Sequence, residues 1–192
     1  MRKRILVIIL GLILLGVQAV IAIADINLVQ NGGFETGDLT GWSWTGSNDP
    51  NLNGVDQINP HSGLYGAYFG PEDSLDYLSQ NITTTLGQSY KVNFWLQNFT
   101  GDTPSEFSVS WNGITQIDLV DSSDFTYTEF TFTAVATSNS TPLIFGFRND
   151  FYYFDLDDVK VTAVTAVPLP ATFLLFGPCL AGLAVMRRRL MN

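Results

Sequence analysis

Three carboxylates lie within four residues of one another, at Asp155, Asp157 and Asp158. Carboxylates at this spacing repel one another unless water or a cation screens them, and such hard oxygen ligands are those that Ca²⁺ prefers. Leu156 and Val159 cannot both face a core from a regular strand, so a bulge is predicted at Asp157-Asp158. Two interpretations stay open: a cation site, and an acidic edge strand left in water.

A second group of oxygen ligands is found in Asp49-Pro50-Asn51-Leu52-Asn53-Gly54. Oxygens at positions 1, 3 and 5 with glycine at position 6 match the first half of an EF-hand loop. Position 12, where that loop needs a bidentate glutamate, is Pro60. The pattern therefore favours an Asn/Gly-rich surface loop over a cation site.

Aromatic and amide side chains suggest a binding platform. Trp95 is predicted to lie on the polar face of its strand with Lys91, Asn93 and Gln97. Sugars stack their apolar faces on exposed rings, while amides and charged groups bind their hydroxyl groups, so a polysaccharide is the expected ligand. The candidate ligand-binding residues are Trp95, Gln97, Arg148 and Trp44. The alternative for Trp95 is burial beneath a neighbouring loop.

Catalytic signatures are weak. His61 is the only histidine and lies in the turn Pro60-His61-Ser62-Gly63, where a solvated side chain is expected. The patterns G-x-S-x-G and H-E-x-x-H do not occur, and the only cysteine is Cys179. The prediction is a protein that is not an enzyme.

The elements that must position these residues are strands. Residues 90–97 (YKVNFWLQ) and 130–134 (FTFTA) alternate apolar and polar side chains, as half-buried antiparallel strands do. Asn112-Gly113, between the alternating runs 108–111 and 114–117, is a strong hairpin signal. No stretch between residues 25 and 163 has a convincing helical period. The sequence predicts an all-β fold, a single antiparallel β-sandwich of jelly-roll type, with Trp42 and Trp111 in its core.

Five segments in this order resemble the carbohydrate-binding modules of the galactose-binding-like jelly roll. They are residues 31–42 (NGGFETGDLTGW), 61–65 (HSGLY), the central strands at 78–82 and 90–95, and 154–159 (FDLDDV). Modules of this type commonly hold one structural calcium ion between the opening turn and the closing strand. The resemblance implies a calcium site at Glu35 and Asp157, with Gly33, Asp155 and Asp158 as less certain ligands.

The N-terminus predicts a secretory signal peptide. Arg2-Lys3-Arg4 is a basic region, and residues 5–23 form an uncharged apolar stretch, the expected signal helix. Ala22-Ile23-Ala24 is an A-x-A cleavage motif, which predicts cleavage by signal peptidase after residue 24. Residues 1–24 are therefore assigned to the signal peptide and residues 25–163 to the β-sandwich domain.

The C-terminal segment, residues 164–192, predicts membrane insertion and sorting. A proline motif at residues 167–170 precedes an apolar run at 171–186, a predicted transmembrane helix, and then Arg187, Arg188 and Arg189. The arginines are expected to stay on the cytoplasmic side of the inner membrane. Spacing alone leaves a processing signal and a plain anchor open.

Val167-Pro168-Leu169-Pro170-Ala171, with Phe176-Gly177, Gly182-Leu183 and the arginine cluster, resembles the PEP-CTERM sorting signal of Gram-negative bacteria in its VPLPA form. The resemblance implies processing by an exosortase at a site marked by Pro168 and Pro170. It also implies transient anchoring in the inner membrane, then release to the cell surface or extracellular matrix.

Charge excludes nucleic acid as a partner. All 18 acidic residues lie between residues 25 and 163, against only Lys91, Arg148 and Lys160. The expected function is that of an exported, surface-sorted, non-catalytic protein that binds extracellular polysaccharide in the matrix or biofilm. The alternative is a structural or adhesive matrix protein without glycan specificity.

Overall fold

A computed structural model describes residues 26–47 and 49–164, which belong to one compact unit, Asp25–Val164. The predicted signal peptide and the predicted transmembrane run at 171–186 lie outside the described residues. The same is true of the predicted processing residues Ala22, Ala24, Pro168, Pro170, Arg187, Arg188 and Arg189. Among the residues that are described, no helix is long and apolar enough to cross a membrane.

The domain consists of two five-stranded sheets, in which all neighbouring strands are antiparallel. The strands are β1 Ser43–Thr45, β2 Asn53–Asp56, β3 Gly66–Phe69, β4 Asp76–Thr83, β5 Ser89–Asn98, β6 Ser105–Trp111, β7 Ile114–Val120, β8 Phe125–Val135, β9 Ser140–Asn149 and β10 Phe154–Ala163. The first sheet has the order β1-β4-β9-β6-β7 and the second has the order β2-β3-β10-β5-β8. The prediction of an all-β sandwich is confirmed.

Alternation in the sequence explains which side chains face inward. In β5, Tyr90, Val92, Phe94 and Leu96 are buried, because successive side chains of a strand point to opposite faces of its sheet. The predicted hairpin is confirmed between β6 and β7. Asn112 and Gly113 have φ values of 52° and 75°, as the two central residues of a type I′ turn require.

Phenylalanine dominates the core between the sheets. Phe69 and Phe147 stack with ring centroids 4.3 Å apart, and Phe94 meets Phe145 edge-on at 5.2 Å. Each such ring contributes about 1.5–3 kcal/mol through burial. Trp42 and Trp111 are buried in the same core, as predicted. The polar side chains of both sheets are thereby presented on the two outer faces of the sandwich.

The acidic strand β10 is the middle strand of the second sheet, between β3 and β5. The interpretation of this segment as an acidic edge strand is therefore wrong. The predicted bulge is confirmed, because the β5–β10 register shifts between Asp157 and Lys160, and Asp158 has a φ of 51°. The bulge lets Leu156 and Val159 both enter the core.

Candidate functional site

The Asp157 carboxylate anchors the turn that covers the second sheet. Its Oδ2 accepts hydrogen bonds from the backbone N–H groups of His61 and Ser62, at 2.9 and 3.1 Å. Its Oδ1 accepts one from the N–H of Asp158 at 2.7 Å. The side chain is fully buried, and this burial raises the pKa of Asp157 to about 6, although the N–H donors favour the charged form.

His61 is held in place rather than solvated, so that expectation is wrong. Its Nδ1 lies 2.7 Å from Oδ2 of Asp158, and Ser62 Oγ donates to Oδ1 of the same carboxylate at 3.0 Å. Its ring stacks on Trp95 with centroids 3.9 Å apart and an interplanar angle of 15°. The physical reason is that Asp157 binds the turn's amides and folds the turn onto the sheet. Trp95 is consequently half-buried.

Glu35 lies against the same turn. Its carboxylate accepts hydrogen bonds from the N–H groups of Leu64, at 2.9 Å, and Tyr65, at 3.2 Å. A Cβ atom placed on Gly33 would lie 3.5 Å from Oδ1 of Asp158 and 3.8 Å from Oδ1 of Asp157. The opening segment and the closing strand are therefore in contact where the calcium ion was predicted.

Two carboxylates and an imidazole converge at this place. Asp157 and Asp158 supply carboxylate oxygens, which Ca²⁺ prefers, while Glu35 lies outside this group and accepts hydrogen bonds from the turn. His61, Asp157 and Asp158 also offer one ligand atom each, all within 4.8 Å of one another. Asp155 lies apart from the group, since its Oδ2 accepts from Asn59 Nδ2 at 2.6 Å. Burial raises the pKa of Asp155 to about 7, against the hydrogen bond from Asn59.

The four predicted ligand-binding residues do not line one groove. Trp95 lies under His61, and the neighbouring Gln97 is buried. Trp44 packs on Phe69, with centroids 5.1 Å apart, and its Nε1 donates to the carbonyl of Ser47 at 2.7 Å.

Arg148 lies on the other sheet and forms two hydrogen bonds to the Asp150 carboxylate, at 2.8 and 2.9 Å. Alternation along each strand correctly indicated polar faces. It could not indicate that these faces belong to different sheets.

A groove that the sequence did not reveal crosses the outer face of the first sheet. The strand registers place Tyr77, Gly146, Ser108 and Asp118 side by side on β4, β9, β6 and β7. Tyr77 is 41% exposed. A Cβ atom on Gly146 would lie 2.6 Å from Ser108 Oγ and 3.2 Å from the Tyr77 ring, so only glycine leaves this depression open.

We call this depression the Tyr77 groove. It has a volume of about 270 Å³, and its main lining residues are Tyr77, Glu106, Ser108, Ser110, Asp118 and Gly146. The groove combines one aromatic ring with hydroxyl and carboxylate groups at the level of the sheet surface. Such a lining suits a ligand that presents an apolar face and many hydroxyl groups.

The fold is similar to that of solved carbohydrate-binding modules. A CBM61 module, solved in complex with beta-1,4-galactotriose, superposes with a TM-score of 0.58 at 18% identity, over 72% of this chain and 99% of that one. The CBM22-1 xylan-binding domain of Xyn10C from Paenibacillus barcinonensis gives a TM-score of 0.56 at 16% identity, over 76% of this chain and 99% of that one.

An adhesin domain has the same architecture. The K3 cleaved adhesin domain of Lys-gingipain from Porphyromonas gingivalis matches with a TM-score of 0.50 at 16% identity, over 70% of this chain and 98% of that one. No protein-family model matches the sequence, and no curated protein is significantly similar to it. At these identities the likeness establishes a shared fold, and the site must be argued from its own residues.

Proposed function

We propose that this protein is a non-catalytic, surface-sorted domain that binds extracellular polysaccharide through the Tyr77 groove. The observation that carries the proposal is the row formed by Tyr77, Gly146, Ser108 and Asp118 across four strands. The fold shared with a module solved in complex with beta-1,4-galactotriose and with a xylan-binding domain supports it.

The chemistry of the groove supports weak, multi-point recognition of a sugar. A pyranose ring would stack on Tyr77, and the open floor at Gly146 allows it to approach the sheet closely. Ser108 and Asp118 would bind its hydroxyl groups. The groove presents no histidine or cysteine among its lining residues. We therefore assign it to binding rather than to acid–base catalysis.

The test is a titration of the purified protein with neutral polysaccharides, galactan and xylan first, by isothermal calorimetry. Tyr77→Ala should weaken binding about tenfold, which corresponds to about 1.4 kcal/mol. Leu86→Ala removes an exposed apolar side chain from a turn outside the groove and should bind as the parent does. If no polysaccharide binds, the role as a structural or adhesive matrix protein without glycan specificity is the better account.

We further propose that a structural Ca²⁺ ion is held by Glu35, Asp157 and Asp158 beside Gly33. The ion would neutralise the three carboxylates and tie the turn at residues 61–65 to the bulge of β10. Melting in Ca²⁺, in Zn²⁺ and in chelator tests this, because a ligand selective for the folded state raises Tm. Glu35→Ala should abolish the Ca²⁺ effect, and Glu72→Ala, which removes another exposed carboxylate, should keep it. A protein that melts at one temperature in all three solutions would remove calcium from the proposal.

For the segments outside the described residues we retain the proposed processing route. Signal peptidase would cleave after Ala24, and an exosortase would act at the proline motif of residues 167–170. The C-terminal helix would hold the protein in the inner membrane until that step. Mass spectrometry of the protein recovered from the culture medium tests both cleavages.

A further inference from the structure

A cleft at one end of the second sheet is larger and more aromatic than the Tyr77 groove. Its volume is about 490 Å³. We call it the aromatic cleft, and its main lining residues are Tyr68, Phe99, Tyr152, Tyr153, Asp56 and Asp155. Tyr68 and Asp155 are register partners on β3 and β10, so the cleft belongs to the second sheet, whereas the Tyr77 groove lies on the first.

The rings of the aromatic cleft form a continuous chain of contacts. Tyr68 meets Tyr153 edge-on at 5.3 Å, Tyr153 packs on Tyr152 at 5.2 Å, and Tyr152 stacks on Phe99 at 5.1 Å. Phe99 and Tyr152 are 53% and 40% exposed, so the outer part of the chain is open to solvent.

The inner two rings are fixed in place. Tyr68 Oη donates to the carbonyl of Pro50 and Tyr153 Oη donates to the carbonyl of Asn51, each at 2.8 Å. A ligand that packs on these rings therefore meets a surface whose side-chain entropy has already been lost on folding, which favours binding.

The floor of the aromatic cleft carries two carboxyl groups, and none of the described basic residues pairs with either of them. Asp155 is only 9% exposed, and Asn59 is the sole hydrogen-bond donor to its carboxylate among the described residues, which leaves Oδ1 without one. Asp56 adds a second carboxylate, whose Oδ1 accepts from the N–H of Ile58 at 2.9 Å. A buried carboxylate without a positive partner is costly, and a cationic ligand would offset that cost.

The basic residues of the described chain lie elsewhere. Lys91 is on β5, about 20 Å along the strand from Gln97, the register partner of Asp155. Lys160 lies beyond the bulge of β10, and Arg148 is bound to Asp150 on the first sheet. Among the described residues, none of these three basic side chains supplies a positive charge to the cleft.

We propose that the aromatic cleft is a second binding site, and that it takes an amino sugar of a polysaccharide with free ammonium groups. The inference rests on the proposed glycan-binding function for the class of ligand, and adds a site and a specificity of its own. The ammonium group would lie against Asp155 and Asp56, and the sugar ring would pack on the tyrosines, whose faces also attract a cation. The two carboxylates would repel a uronic acid.

A sugar fits this cleft better than a lysine side chain does. A single alkylammonium chain fills a narrow cage of rings, whereas this cleft is wide and has at its rim the side-chain carbonyl oxygens of Asn51 and Asn59, which can accept hydrogen bonds from hydroxyl groups. The domain would then hold one glycan on each face of the sandwich, and so could connect two polysaccharide chains.

The experiment compares three hexasaccharides with the same β-1,4 backbone that differ only at carbon 2. These are the glucosamine hexamer, the N-acetylglucosamine hexamer and cellohexaose, titrated into the purified protein by calorimetry. The glucosamine hexamer should bind at least tenfold tighter than the other two, and its affinity should fall as salt rises. Oligogalacturonate and tetralysine are included as an anionic glycan and a cationic peptide.

Two variants locate the binding. Asp155→Asn keeps the side-chain size and should reduce the preference for the aminated hexamer to less than threefold. Tyr152→Ala removes an exposed ring with little risk to folding and should weaken all binding in the cleft about tenfold, while Leu86→Ala should bind as the parent does. Melting curves of each variant show that it is folded.

The outcomes separate this proposal from the proposed function. Equal affinity for the three hexasaccharides, or tighter binding of tetralysine than of the glucosamine hexamer, would overturn the amino-sugar site. Loss of glucosamine binding in Tyr77→Ala but not in Tyr152→Ala would place the ligand in the Tyr77 groove, which overturns this inference and leaves the proposed function standing. If galactan and xylan fail to bind, while the glucosamine hexamer binds tightly and Tyr152→Ala abolishes that binding, the Tyr77 groove is overturned as the site and the amino-sugar site stands.

Discussion

Replacement of the buried Asp157 by asparagine should make the stability of the domain less dependent on pH. The ordinary pKa of this carboxyl is 3.8, and burial raises it to about 6 in the folded protein. Between these values the folded state binds more protons than the unfolded state does. The contribution of Asp157 is therefore fully present below about pH 4 and is lost as the pH rises through about 6.

The magnitude follows from the same two values. One pKa unit corresponds to about 1.4 kcal/mol, so the step from 3.8 to about 6 lowers the free energy of unfolding by about 3 kcal/mol at neutral pH. For a domain of this size that is a decrease of about 9 °C in Tm. Asparagine keeps an acceptor for one turn amide but does not titrate. Any change in the free energy of unfolding that asparagine itself causes is therefore the same at every pH.

The assay is a set of thermal melts of the parent and of Asp157→Asn in chelator between pH 4 and pH 8. The Tm difference, parent minus variant, should fall by about 9 °C from the acid end to the neutral end. Other titrating groups, including Asp155, are present in both proteins and largely cancel. At pH 7 the addition of Ca²⁺ should raise the Tm of the parent only, by the equivalent of about 2.7 kcal/mol at a hundredfold excess over Kd. A Tm difference that stays constant over this range would refute the argument that burial raises the pKa of Asp157.

Three further predictions test the positions of particular residues. His61→Ala removes the ring that stacks on Trp95, so tryptophan emission should shift to longer wavelength; an unchanged spectrum would mean that the turn does not cover Trp95. Gly32→Ala places a methyl group onto the carbonyl oxygen of Val159, so the free energy of unfolding measured with denaturant should fall by about 3 kcal/mol. An unfolding midpoint equal to the parent's would contradict the close approach of these two segments. Gly146→Val should fill the Tyr77 groove and abolish polysaccharide binding while the protein stays folded; retained binding would exclude the groove as the site.

Local features of the sequence predicted the local structure well. Apolar and polar residues alternate in β5 and β6, and Asn112-Gly113 joins β6 to β7 as a tight turn. The bulge at Asp157-Asp158 followed from the need to bury both Leu156 and Val159. These features depend on steric preferences within a few residues, so they can be inferred without knowledge of the rest of the chain.

Candidate sites were harder to predict, because each depends on contacts between distant segments. The polar face of β5 was recognised, but the turn that covers Trp95 is held there by Asp157, nearly a hundred residues away. Trp44, predicted as a loop aromatic, and Arg148, predicted from the alternation of its strand, were grouped with Trp95, although they belong to the other sheet. The aromatic cleft was missed because Tyr68, Phe99 and Tyr153 come from three separate segments, none of which carries a motif.

The amino-acid sequence by itself determined several of the strands, the β6–β7 hairpin and the bulge in β10, because a pleated strand requires a period of two and a tight turn requires particular residues. The order of the strands and their registers were decided only by the tertiary structure. They place the acidic strand β10 in the middle of its sheet, align Tyr77 with Gly146, and bring the tyrosines together above Asp155. The physical reason is that register depends on how two whole faces pack against each other, and the free energy of that packing is distributed over many distant pairs of residues.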